Sequence, residues 1–130
     1  MKSSTKSKKK IKHDPKHIGV PNICFSLTDA DDNREPHFKK QRLERGFDDS
    51  ETWSLRDTMA RFILPRLKRY REMIDGFIVN ENGLYEDVDK AIRAFELVIK
   101  DDTEWMTKEE QVEYRAGMDA FARIYMALWW

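Results

Sequence analysis

A chain of 130 residues with one cysteine, three histidines and a formal net charge of zero has the length of one domain and cannot close an internal disulfide. Its histidines show no zinc-ligand spacing, and no apolar run approaches the roughly 20 residues that cross a bilayer, so disulfide, metal-centred and membrane-spanning classes are set aside. The charge is unevenly placed: residues 1 to 45 hold 12 Lys and Arg against 6 Asp and Glu, whereas residues 46 to 130 hold 12 against 18. A basic segment on an acidic body either recruits a phosphate-rich partner or folds back on the body's own acids. The N-terminal lysines are followed by no apolar stretch of signal-peptide type, so the expected location is the cytoplasm.

Residues 1–17, MKSSTKSKKKIKHDPKH, carry too little apolar surface to offset the entropy of ordering, and are expected to be a disordered basic tail. Such a tail either solubilises or touches nucleic acid. Residues 18–27, IGVPNICFSL, have a β-like composition, but Pro21 restricts them to an edge strand or an extended arm, with Cys24 as a small buried apolar residue. In the polar linker that follows, Asp29, Asp31 and Asp32 lack the glycine and terminal glutamate of an EF-hand and read as a solvated loop. The expected organisation is therefore a tail at 1–17, an arm and linker at 18–35, and a helical domain at 36–130.

Pro36 opens a short basic helix through Arg45, with Gly46 as its C′ residue. Ser54 followed by Asp57 resembles a capping box, and Leu55, Met59, Phe62, Ile63, Leu67, Tyr70 and Ile74 then recur at helical period, with Pro65 inside and Gly76 at the end. A second helix carries Val88, Ile92, Phe95 and Ile99 on one face, flanked by Ala91 and Val98. The third starts at the capping pair Thr107 and Glu110 and places Tyr114, Met118, Phe121, Tyr125 and Leu128 on one side. The predicted fold class is all-α: a small bundle of three main helices at about 53–75, 86–100 and 107–129.

Two features suggest binding. A wheel at about 100° per residue sets Arg66 between Phe62 and Tyr70, near the middle of the apolar face, where a guanidinium needs an internal carboxylate, an anionic ligand or a partner chain. Arg56 and Arg69 lie toward the edges of that face, while Arg61, Lys68 and Arg71 point away. The second feature is aromatic: Trp53, Trp105, Trp129 and Trp130 stand at or near helix ends. Trp53 and Trp105 read as core caps, with Trp53 also suited to stacking on a base, and Trp129 and Trp130 as an interface covered by another copy.

The segment GFDDSETWSL at residues 46–55, followed by FILPRLKRY at 62–70, resembles a group of small bacteriophage proteins of unassigned function. The resemblance covers about residues 42 to 128 and is carried by Gly46, Phe47, Trp53, Leu55, Phe62, Pro65, Arg66 and Leu67. Where that group usually has an Asp after the leucine, this chain has Arg56. The resemblance implies a phage origin and no mechanism.

The leading expectation is a non-enzymatic phage accessory protein, without a cofactor, that sequesters a small anionic ligand such as a nucleotide immune signal in the host cytoplasm. Arg66 and Arg69 would take phosphate and Trp53 would stack. The alternatives are a module that binds and inhibits a host protein through its helices and the interface residues Trp129 and Trp130, and nucleic-acid binding through residues 1–17 and the segment from Lys39 to Arg45. Catalysis has no nucleophile motif, phosphate-binding glycine loop or helical-core histidine to support it.

Overall fold

The structure is a computed structural model and describes residues 25–100 and 105–130; the basic tail 1–17, Cys24 and most of the arm lie outside the described residues. All regular structure among the described residues is helical. It runs as α1 (Glu35–Arg45), a 3-10 turn (Asp49–Thr52), α2 (Leu55–Ile74), α3 (Leu84–Ile99), α4 (Lys108–Ile124) and a second 3-10 turn (Tyr125–Ala127). The three main helices are present, and the short basic one makes four. The described part of the expected arm at 18–27, from Phe25 on, forms no strand. The helix expected to run to 129 ends at Ile124 and tightens into the 3-10 turn, a common way of finishing a helix whose last carbonyls lack partners.

The chain divides into two compact units between Thr58 and Met59, within the first turns of α2. In the first unit, Pro36 lies in the opening turn of α1, and Gly46 closes that helix at φ 87°, with its N–H donating to the Arg42 carbonyl. A capping box does start the next element, but it is Asp48 with Glu51 on the 3-10 turn. The Ser54 hydroxyl instead donates to the Asp57 carboxylate at 2.8 Å, while its carbonyl accepts from the Asp57 and Thr58 amides. The interior of this unit is mostly polar: Arg42, Asp48, Ser50 and Glu51 are buried together with Phe38.

The second unit is an apolar helical core. Ala60, Leu64, Leu67 and Ile74 of α2, Val88, Ala91 and Phe95 of α3, and Ile124 of α4 form one buried cluster. Tyr85 closes the α2 to α3 connection, its hydroxyl 3.0 Å from the Ile74 carbonyl and 2.7 Å from that of Ile78. Helices α3 and α4 run antiparallel, as their ion pairs record: Asp87 with Arg123 at 2.9 Å, Arg93 with Glu113 at 3.3 Å and Lys100 with Glu110 at 2.5 Å. They approach closely because Gly117 faces α3, where a Cβ would fall 2.3 Å from the Lys90 carbonyl oxygen and 2.6 Å from the Ala94 Cβ. Ala91, Ala94, Gly117 and Ala120 therefore line the closest part of this packing. The larger Ile92, Met118 and Phe121 are only partly buried.

Candidate functional site

Arg66 is not buried. The expected apolar face of α2 is rotated from the real core face, which centres on Ala60, Leu64 and Leu67, and Leu55, Met59 and Phe62 are left exposed. Arg66 shares their exposed side: its Nη1 donates to the Phe62 carbonyl at 2.8 Å and its Cζ lies 4.1 Å from the Phe62 ring centroid. An internal ion pair is thus neither made nor required, because the guanidinium keeps its water. Arg69, three residues on, is exposed and pairs with Glu72 at 2.9 Å. Arg56 pairs with Asp57 at 3.6 Å, and Lys68 and Arg71 reach Glu96 and Asp89 on α3.

Trp53 and Trp105 do not cap a core; both are more than half exposed. Trp53 belongs to the first unit, with the Arg34 guanidinium 5.0 Å from its ring centroid and the Phe38 ring edge-on at 6.0 Å. The stacking role expected of Trp53 therefore concerns an indole already packed against a cation.

In the second unit, the segment after α4 is held by Tyr70, whose one hydroxyl proton is shared between the carbonyls of Ala127 and Trp129, 3.2 and 3.4 Å away. Burial pushes the Tyr70 phenol above its ordinary pKa, so the donor stays protonated. This anchoring turns the side chains of the segment outward: Tyr125 is 61 % exposed, Met126 87 %, Trp129 72 % and Trp130 57 %. Phe77, 74 % exposed, meets Trp130 at 6.1 Å between ring centroids, and Tyr125 meets Phe121 edge-on at 5.6 Å. Phe77, Tyr125, Met126, Trp129 and Trp130 are thus exposed, with Phe77 beside Trp130. Phe77, Tyr125 and Met126 were missed in the sequence: Tyr125 was assigned to the core face, and Phe77 follows Gly76, where the helical period no longer applies.

Among the described residues the buried arginine is Arg42, on the short basic helix α1. Its Nη1 donates to Asp48 at 2.5 Å and its Nη2 to Glu35, while the serine hydroxyl of Ser26 lies 3.4 Å from Nη1. Asp48 also accepts from the Ser50 amide and hydroxyl, at 2.8 and 2.5 Å. Burial pushes the Asp48 carboxyl up, but the bonds from Ser50 and Arg42 outweigh it and hold the pKa below the ordinary value. Glu51 goes the other way: burial raises it despite bonds from the amides of Asp48 and Phe25, at 2.8 and 2.9 Å. With Leu27 N–H donating to the Ser50 hydroxyl at 2.8 Å, these bonds fasten residues 25–27 to the 3-10 turn. The cluster satisfies itself internally, which is the chemistry of a clasp.

Among the described residues, no group of three or more His, Cys, Asp or Glu side chains is placed to hold a metal, and no helix is long and apolar enough to cross a membrane. No protein-family model, curated protein or solved structure significantly matches the chain.

Proposed function

We propose that this chain is a non-enzymatic interaction protein that self-associates through the aromatic surface at Phe77, Tyr125, Met126, Trp129 and Trp130 and acts by binding a further protein. The observation that carries the reading is the exposure of that surface, held in place from beneath by Tyr70. Aromatic side chains each offer about 150–250 Å² for burial, and four of them at these exposures leave on the order of 500 Å² of aromatic surface. Met126 extends it toward the roughly 800 Å² that each partner contributes to a standard interface. A second copy is the commonest cover for such a patch, since a two-fold dimer buries the same residues from both chains. The resemblance to small bacteriophage proteins supplies the setting: an accessory protein in the host cytoplasm whose target is a host protein, and which in that setting would act against host defence.

Replacing both indoles, Trp129→Ser with Trp130→Ser, is expected to weaken self-association at least about tenfold, read by light scattering during size exclusion, with the far-ultraviolet helical signal retained. An unchanged association constant would sink the assignment of the interface.

A second reading keeps Arg66 and Arg69 as the holders of a small anionic, nucleotide-like ligand. What favours it is that both guanidiniums are exposed on one helix and that Arg66 already lies over an aromatic ring. Trp53 belongs to the other compact unit and is left out of that site. Nucleic-acid contact through residues 1–17 rests on composition alone.

A further inference from the structure

Helix α2 carries two apolar stripes, and only one of them enters the core. Ala60, Leu64, Leu67 and Ile74 are buried. About 130° round the helix, at roughly 100° per residue, lies a second line: Met59, Phe62, Arg66, Arg69 and Met73, stepping by three, four, three and four residues. Met59 is 59 % exposed and Phe62 39 %, Arg66 and Arg69 are exposed, and Met73 is half-buried. Alternating steps of three and four are the a and d spacing by which one helix pairs with another along a seam. The core of the second unit makes no use of this seam, yet it holds two methionines and a phenylalanine.

Charge decides what covers it. If two copies paired through this face in parallel, Arg66 would meet Arg66 and Arg69 would meet Arg69; an antiparallel pair centred on the seam would again set Arg66 against Arg66. Like charges in a helix seam disfavour both arrangements. A small anion gains from the arginines but leaves Met59 and Phe62 exposed and Met73 half-covered, and an outward helix face does not enclose it as a concave site does. An acidic helix uses the whole line. Arg66 uses one donor on the Phe62 carbonyl, at 2.8 Å, and has further guanidinium N–H groups to offer. Arg69 is held by Glu72 in a pair whose side chains are 68 % and 66 % exposed, and such a pair yields readily to a better-placed carboxylate.

We propose that this face of α2 docks an amphipathic helix of a protein partner, with apolar side chains over Met59, Phe62 and Met73 and Asp or Glu opposite Arg66 and Arg69. The proposal rests on the reading of the chain as an interaction protein, but not on its self-association.

The test uses two fluorescent synthetic peptides, each about three heptads long with leucines along the seam. One has glutamates at the two positions that face Arg66 and Arg69, and its twin has lysines there. The full chain is expected to bind the glutamate peptide at least about tenfold more tightly than the lysine twin, and Arg66→Glu with Arg69→Glu is expected to reverse the preference. Both replacements are on exposed side chains, and circular dichroism checks that the helices remain. Equal binding of the two peptides, a preference that survives the charge reversal, or no binding below about 1 mM would overturn the proposal. ADP-ribose titrated in parallel covers the other class: saturable binding that the reversal abolishes, without peptide binding, assigns the arginines to a small anion and equally overturns it. Peptide binding that persists in Trp129→Ser with Trp130→Ser separates this face from the self-association surface.

Discussion

Arg42 and Asp48 bind the polar interior of the first unit, and their removal is costly for an electrostatic reason. Asp48 is fully buried and Arg42 nearly so. Asp48→Ala leaves the buried Arg42 with Glu35 as its acidic partner and strips the Ser50 amide and hydroxyl of their acceptor, so it is expected to cost about 1.5–3 kcal/mol, measured by urea unfolding. The pH dependence follows from the shifts. The pKa of Asp48 is held down in the folded protein, as is that of Asp87 by its bond to Arg123. Each therefore contributes stability that is present above the unfolded carboxylate value of about 4 and is lost as pH falls through the lower folded value. Glu51 has the opposite sign: its raised pKa makes its ionised form a burden at neutral pH, and that burden lifts as it protonates. Acid titration of the helical signal should thus show stability falling below about pH 4, with a shallower fall in the Asp48→Ala protein.

At the scale of elements, the α3 to α4 packing depends on an absent side chain. A methyl at Gly117 has backbone in its way, at the Lys90 carbonyl, so the helices must separate. Gly117→Ala is expected to destabilise by about 1–3 kcal/mol even though alanine is the better helix former, with the melting temperature as the readout. The same packing explains what could be read in advance. Two helix limits were legible because local chemistry sets them, Thr107 with Glu110 at the start of α4 and Gly46 at the end of α1, whereas the Ser54 cap and the end of α4 at 129 were not. The phase of the helices was less legible. Periodicity weights large apolar side chains, and on α2 these fall in two stripes, so Leu55, Met59 and Phe62 drew the expected face away from Ala60 and Leu64, although it kept Leu67 and Ile74. On α3 and α4 the closest contacts belong to alanines and a glycine, which carry little hydrophobic signal. Arg66 therefore looked buried and is exposed, while Arg42, on a helix with few apolar residues, gave no sign of its burial.

For the whole molecule, zero net charge conceals a chain whose described surfaces are specialised. The first unit is closed by a charged clasp, whereas the second buries a mostly aliphatic core with Phe95 and leaves Phe77, Tyr125, Trp129 and Trp130 exposed. Trp129 and Trp130 are exposed, although the expected last helix ran to 129. Their neighbour Phe77 comes from a distant part of the chain, and only the fold brings it to Trp130. Under the proposed self-association, another copy of the chain covers this surface. Sedimentation equilibrium over a wide concentration range tests it most directly: the account predicts a mass rising from 15.6 kDa toward twice that value, with the rise lost when Trp129 and Trp130 are both replaced by serine. A mass that stays at 15.6 kDa at every concentration would contradict it.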